Sequence, residues 1–252
     1  MSGIDRAFQV LDHLTRCGRP ATAYDIARAL AAPASTVYEV IDTLVAKGAL
    51  SRTDGNGRVF LGPRLHFYGL AYAKELSLER VLSAEITALS QSTGETVQVC
   101  GRDGDMMVVL MMAEGARVFR IASQVGTRVP LNWTASGRLL VAPLAKAERR
   151  ALFARAKASP TGRAETDPKR LEAASQAAWA ARLAVQVSEA DEDVACIAAP
   201  IRDAAGGCPA TISIVLPATR AREQQPALAE AVRGAAAEVE AAMGWRDPGG
   251  AA

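Results

Sequence analysis

Between residues 22 and 61 two helical patterns, a tight turn and a hairpin signal follow one another with little room for anything else. Thr22 followed by Asp25 resembles a capping box and predicts a helix start, with Ile26, Ala27 and Leu30 facing inward. In Pro33-Ala-Ser-Thr-Val-Tyr38 and the residues after it, Val37, Val40, Ile41, Leu44 and Val45 fall at helical spacing, and Gly48 supplies a stop. Upstream, Ala7, Val10, Leu11 and Leu14 predict an amphipathic helix over residues 4–16, ending near Gly18. Downstream, Asp54-Gly55-Asn56-Gly57 is a hairpin turn between apolar runs around Leu50 and Phe60. Helix, turn, helix and wing in this order make a winged helix-turn-helix, a unit that usually lays its second helix in the DNA major groove. The outward face of that helix would carry Ser35, Tyr38 and Glu39, with Thr36 beside its start. Arg52 and Arg58 flank the wing, where cations meet a phosphate backbone. A polar helix face is also what a solvated protein-interaction module shows, so order and spacing carry the expectation.

The chain has 252 residues, half of them apolar, enough for one small and one medium core. No apolar run reaches the ~18 residues that span a bilayer, and Met1-Ser-Gly-Ile-Asp-Arg-Ala-Phe8 lacks the features of a signal peptide, so a cytoplasmic protein with no membrane partner is expected. Four cysteines without a Cys-x-x-Cys pair and two histidines predict no metal site. The net charge of +2 lies wholly in residues 1–80, too small an excess to diagnose nucleic acid by itself.

After residue 62 the pattern changes. Pro63 to Leu78, rich in Leu65, Tyr68, Leu70 and Tyr72, predicts a linker helix, and Leu78 to Ser92 a second one with Val81, Leu82, Ile86 and Leu89 on one side. Strands are expected at Thr96 to Arg102, Met106 to Ala113 and near Val118 to Ser123; residues 136–182 read as largely helical. Strands return at Ala184 to Val187, Ala195 to Ile201 and Ala210 to Leu216, before a helix from about Gln225 to Met243. Strands at both ends with helices between them predict an antiparallel sheet covered by helices, an α+β sandwich.

The second domain has no nucleophile-elbow, phosphate-loop or metal-spacing motif, so neither catalysis nor a cofactor is expected. A binding pocket fits better. Thr134-Ala135-Ser136-Gly137 opens a predicted helix whose free N–H groups and hydroxyls could receive a carboxylate. Cys196 sits on one late strand, and Thr211 and Ser213 on the next; buried hydroxyls need partners, either a ligand or neighbouring backbone. Trp133, Met107 and Met111 would suit an apolar or aromatic acid, or simply a core.

At this point the chain resembles the IclR family of bacterial transcription regulators over nearly its full length. The matches are Pro33-Ala-Ser-Thr-Val-Tyr38 with Thr43-Leu44, the wing with Leu61-Gly62, Gly126-Thr-Arg-Val-Pro-Leu131, Thr134-Ala-Ser-Gly-Arg138, Val194-Ala-Cys-Ile-Ala-Ala-Pro-Ile-Arg-Asp203 and Ile212-Ser-Ile214. The resemblance implies a winged-helix domain over 1–62, a linker helix over 63–78, a GAF-like effector domain over 79–246 and a disordered tail at 247–252. It further implies a dimer or dimer of dimers on double-stranded palindromic operator DNA, answering a small organic acid. The family's ligand contacts would fall on Ala135, Ser136, Cys196 and Ser213, and less directly on Gln186 and Val215. There are departures from the family pattern. Family members often carry an acidic residue where Gln186 stands, serine where Val215 stands, and basic residues where Ala34 and Glu39 stand. A factor of the same fold that binds DNA or protein without an effector is the alternative.

Overall fold

A computed structural model of the chain describes residues 2–53, 57–75, 78–117 and 123–245. The chain divides into two compact units, residues 1–77 and 78–252.

The first unit begins with α1 (Gly3–Cys17), closed at its start by a reciprocal cap. The Ser2 hydroxyl accepts from the Asp5 amide and the Asp5 carboxylate accepts from the Ser2 amide. It ends at Gly18, whose φ of +62° favours a residue without Cβ. β1 (Ala21–Thr22) leads into α2 (Ala23–Ala29), where the Thr22 hydroxyl accepts from the Asp25 amide and donates to the Asp25 carboxylate. The Thr22 hydroxyl and its backbone amide both favour the ionised Asp25 carboxylate, in line with the cap expected from sequence. After a turn come α3 (Ala34–Ala46), β2 (Leu50–Arg52) and β3 (Arg58–Leu61), with β3 central in a three-stranded antiparallel sheet. Val10, Leu14, Ile26, Val37, Ile41, Leu50 and Val59 form the core of this unit, the inward positions of each amphipathic pattern. α4 (Pro63–Glu75) follows.

In the second unit α5 (Leu78–Thr93) precedes β4 (Thr96–Asp103), β5 (Met106–Ala113) and β6 (Arg128–Pro130). A single 3-10 turn (Leu131–Trp133) leads to α6 (Ala135–Val141), α7 (Lys146–Phe153) and α8 (Pro168–Ala181). β7 (Ala184–Val187), β8 (Val194–Ile201), β9 (Ala210–Pro217) and α9 (Ala218–Ala242) complete it. The six strands form one antiparallel sheet in the order β6-β5-β4-β9-β8-β7.

The two faces of this sheet differ in chemistry. Val97, Val99, Ala195, Ile197, Ala199, Ile212, Ile214 and Leu216 pack on the buried sides of α5 and α9. The opposite face carries Gln98, Cys100, Gln186, Cys196, Thr211, Ser213 and Val215, in lateral rows set by the register: Gln186, Cys196 and Val215 in one, Ala198, Ser213 and Gln98 in the next. A bulge between Val99 and Cys100 leaves Leu110 unpaired on β5 and reverses the alternation there. Met107 and Val109 consequently pack with Cys100, whereas Met111 packs against the α5/α9 core.

Several expectations need correction or fall outside the described residues. Residues 154–167 contain no helix; Pro160 and Gly162 interrupt them, and the buried Asn132 side chain donates to the Lys157 and Glu165 carbonyls in their stead. α9 starts at Ala218, not near Gln225, because Ala218 and Ala221 are buried, and that burial outweighs the amide missing at Pro226. β6 went unforeseen, three residues being too few for alternation to register. Residues 54–56 of the expected wing turn, 118–122 of the expected strand and 247–252 lie outside the described residues, and Ser123 is in no strand.

Candidate functional site

In the first unit, burying Val37 and Ile41 leaves Ser35, Thr36, Tyr38, Glu39 and Asp42 of α3 exposed, Tyr38 by 51%. Pro33 precedes the helix and gives no side-chain cap, so the first-turn amides are free to meet an anion. α3 itself carries two carboxylates, Glu39 and Asp42, and no Lys or Arg. Arg52 and Arg58 lie on the two wing strands, both exposed. Arg52 is not free: its guanidinium donates to Asp42 at 2.7 Å, an exposed pair worth roughly 0–1 kcal/mol that ties β2 to α3.

In the second unit a cavity of about 270 Å³ opens beside the polar face of the sheet. Gln98, Cys196, Gln186 and Val215 come from β4, β8, β7 and β9; Met107 and Val129 come from β5 and β6. Trp133 and Thr134 wall it from the turn before α6, and Asp191, at its edge, is exposed. Of the polar lining groups Gln98, Thr134 and Gln186 are buried, and all three are engaged. The Gln98 amide donates to the Ser123 hydroxyl at 2.7 Å, and the Gln186 carbonyl oxygen accepts from the Glu189 amide at 3.0 Å. The Trp133 indole donates to the Lys157 carbonyl at 2.8 Å, which fixes the ring against the opening. Arg138 braces α6 on the sheet, donating to the Val185 carbonyl at 2.9 Å and pairing with Glu189.

Of the five residues expected to hold a ligand, Gln186 and Cys196 line this cavity; Ala135, Ser136 and Ser213 do not. Ala135 and Ser136 are buried at the start of α6. Ser213 lies with its hydroxyl 3.9 Å from the Cys100 thiol. Thr211 donates to the Cys100 carbonyl at 3.5 Å, the neighbouring-backbone reading of a buried hydroxyl. The Thr134 hydroxyl accepts from the Gly137 amide at 2.9 Å, so one of the amides expected to meet a carboxylate is already bonded. Met107 lines the cavity and Met111 does not, a consequence of the bulge. Sequence reading missed Gln98, Ser123, Thr127 and Asp191. Gln98 had a signal: an amide between Val97 and Val99, in step with Cys100.

Burial pushes the Cys196 thiol up to about 11, partly offset by the Gln186 side chain beside it, and pushes Cys100 up to about 12. At neutral pH both stay protonated and act as small, polarisable wall groups. Among the described residues, no three His, Cys, Asp or Glu side chains gather in a way that could hold a metal ion.

Residues 70–241 match the family described as bacterial transcriptional regulator IclR C-terminal, and residues 3–54 match the IclR helix-turn-helix domain. The HTH-type transcriptional repressor AllR of Escherichia coli is 27% identical over 249 residues, covering 96% of this chain and 90% of AllR. The probable transcriptional regulator SauR of Cupriavidus necator is 30% identical over 220 residues, 85% of this chain and 86% of SauR. Among solved structures, an IclR homolog from Microbacterium hydrocarbonoxydans complexed with 4-hydroxybenzoate superposes with a TM-score of 0.60 at 27% identity, over 96% of this chain and 99% of that one.

Proposed function

Because this chain belongs to the IclR family of bacterial transcriptional regulators, we propose that it is a ligand-responsive regulator whose second unit receives a small organic acid. A dimer or dimer of dimers presents paired α3 helices to the two halves of a palindromic operator. Ser35, Thr36, Tyr38 and Glu39 face the base edges and nearby phosphates, and Arg52 and Arg58 the backbone. The acid occupies the cavity between Gln98, Gln186, Cys196 and Trp133. Its carboxylate is best received by amides and hydroxyls away from Asp191, with its apolar body against Met107, Val129 and Val215. Ala135, Ser136 and Ser213 shape that wall from behind.

The observation that carries this reading is the cavity of about 270 Å³ on the polar sheet face, in a chain that also bears a winged helix. The structure of a relative at 27% identity holding an aromatic acid supports the ligand class. Regulation requires unequal affinity for two arrangements of the protein; a ligand that binds both equally shifts nothing. The test is a titration of DNA flanking the chain's own gene, with and without a panel of small aromatic and aliphatic acids. The expected result is an acid that changes DNA affinity at least fivefold and whose effect is lost in Gln186→Ala. DNA binding that no bound acid alters would instead favour an effector-independent factor.

A further inference from the structure

In the first unit a second concavity, of about 500 Å³, lies between the end of α1, β1, α2 and β3. Arg19, Arg28 and Arg58 line it, together with His13, Cys17 and Asp25. The arginines come from three different elements: the connection after α1, the helix α2 and the wing strand β3. Elsewhere guanidiniums are commonly neutralised at carboxylates, as in Arg102 with Glu148, Arg138 with Glu189, Arg149 with Glu172 and Arg220 with Glu95. Among the described residues, no hydrogen bond and no ion pair shorter than 4.0 Å engages the side chains of Arg19, Arg28 or Arg58. Asp25 is the one carboxylate in the lining. The Thr22 hydroxyl, then the nearby Arg28 and Arg58, hold it below the usual carboxylate range, so it stays ionised and cancels one cation. Two positive charges remain, as many as the net charge of the entire chain.

Like charges brought to one concavity repel, and the repulsion is relieved when a partner of opposite charge enters. We propose that this concavity is a phosphate-binding site formed by Arg19, Arg28 and Arg58, and that its main source of phosphate is the DNA backbone. The reading helix supports that source. α3 carries two carboxylates and no cation, and Arg52 shares its charge with Asp42 in an exposed pair, so attraction to a polyanion must come from side chains off the helix. Arg58 joins the concavity to the wing. Guanidiniums suit a phosphate because their planar fork matches its oxygens. In its DNA arm the inference rests on the proposed DNA binding and deepens it.

The experiment measures binding of the full-length protein to a fluorescent 40-base-pair duplex from roughly 50 to 200 mM salt, using wild type, Arg19→Ala, Arg28→Ala and the double variant. Each lost phosphate contact should lower the slope of log affinity against log salt by about 0.9. The double variant should lose nearly twice that, and Arg28→Lys should restore most of the slope lost in Arg28→Ala. A parallel arm follows thermal unfolding with inorganic phosphate. If duplex slopes are unchanged but phosphate raises the melting temperature of wild type and not of the double variant, the site binds free phosphate. Unchanged slopes together with no difference in the phosphate arm overturn the site, while wild-type binding to the duplex leaves the proposed function standing. A wild type that binds no duplex at any salt sinks the proposed function instead, and the phosphate arm alone then decides the site.

Discussion

Gly137 holds a wall of the second-unit cavity in place by lacking a side chain. A Cβ there would stand 2.7 Å from Leu131 Cα and press on the Leu131 carbonyl, which belongs to the turn presenting Trp133 and Thr134. Backbone cannot yield as a flexible side chain does. Gly137→Ala should therefore destabilise the second unit by roughly 1–3 kcal/mol, read as a lower urea midpoint. The thiols give a second test. Alkylation needs the thiolate, and burial holds Cys196 near 11 and Cys100 and Cys208 near 12. At pH 8 iodoacetamide should label exposed Cys17 and spare the other three, as read by peptide mass mapping; labelling of Cys196 should rise only as pH approaches 11. At this scale the sequence was partly legible. Gln186 and Cys196 could be placed by resemblance to relatives, and Gln98 by its parity with Cys100. Thr127 and Asp191 lie on loops, where no period says which way a side chain points.

Elements were legible where a period runs for three turns or more. α1, α3 and α5 repeat their apolar residues often enough to mark both extent and buried side, and the strands from β7 to β9 are bounded by turn residues. What failed was set by tertiary contact. Packing of Ala218 and Ala221 carries α9 seven residues ahead of its expected start, and one unpaired residue at Leu110 sends Met107 and Met111 to opposite faces. Local capping is open to direct test at α2. Thr22→Ala removes an acceptor for the Asp25 amide and should cost about 1 kcal/mol, measured by thermal unfolding of the first unit. The same change has a pH signature. Asp25 titrates below its ordinary 3.8 because of the Thr22 hydroxyl, so its contribution is present above that pH and lost as pH falls through the lower folded value. In Thr22→Ala that part of the acid dependence should shrink.

The molecule as a whole contains separate cores, and its tryptophans report on only one of the two units. Trp133, Trp179 and Trp245 all fall in the second unit. Ile41→Ala opens a cavity in the first unit's core and should cost about 2–5 kcal/mol there. The expected outcome is an earlier loss of helical circular dichroism and weaker DNA binding, with the tryptophan fluorescence transition unmoved. A shared shift of both signals would show that the units unfold together.

The sheet of the second unit gathers its amides, hydroxyls and thiols on the side opposite its aliphatic core, although both sides are written into the same strands by alternation. Descendants of this protein can therefore trade side chains at positions 98, 186, 196 and 215 one at a time, acquiring new chemical tastes, while the oily slab beneath α5 and α9 passes unaltered from one generation to the next.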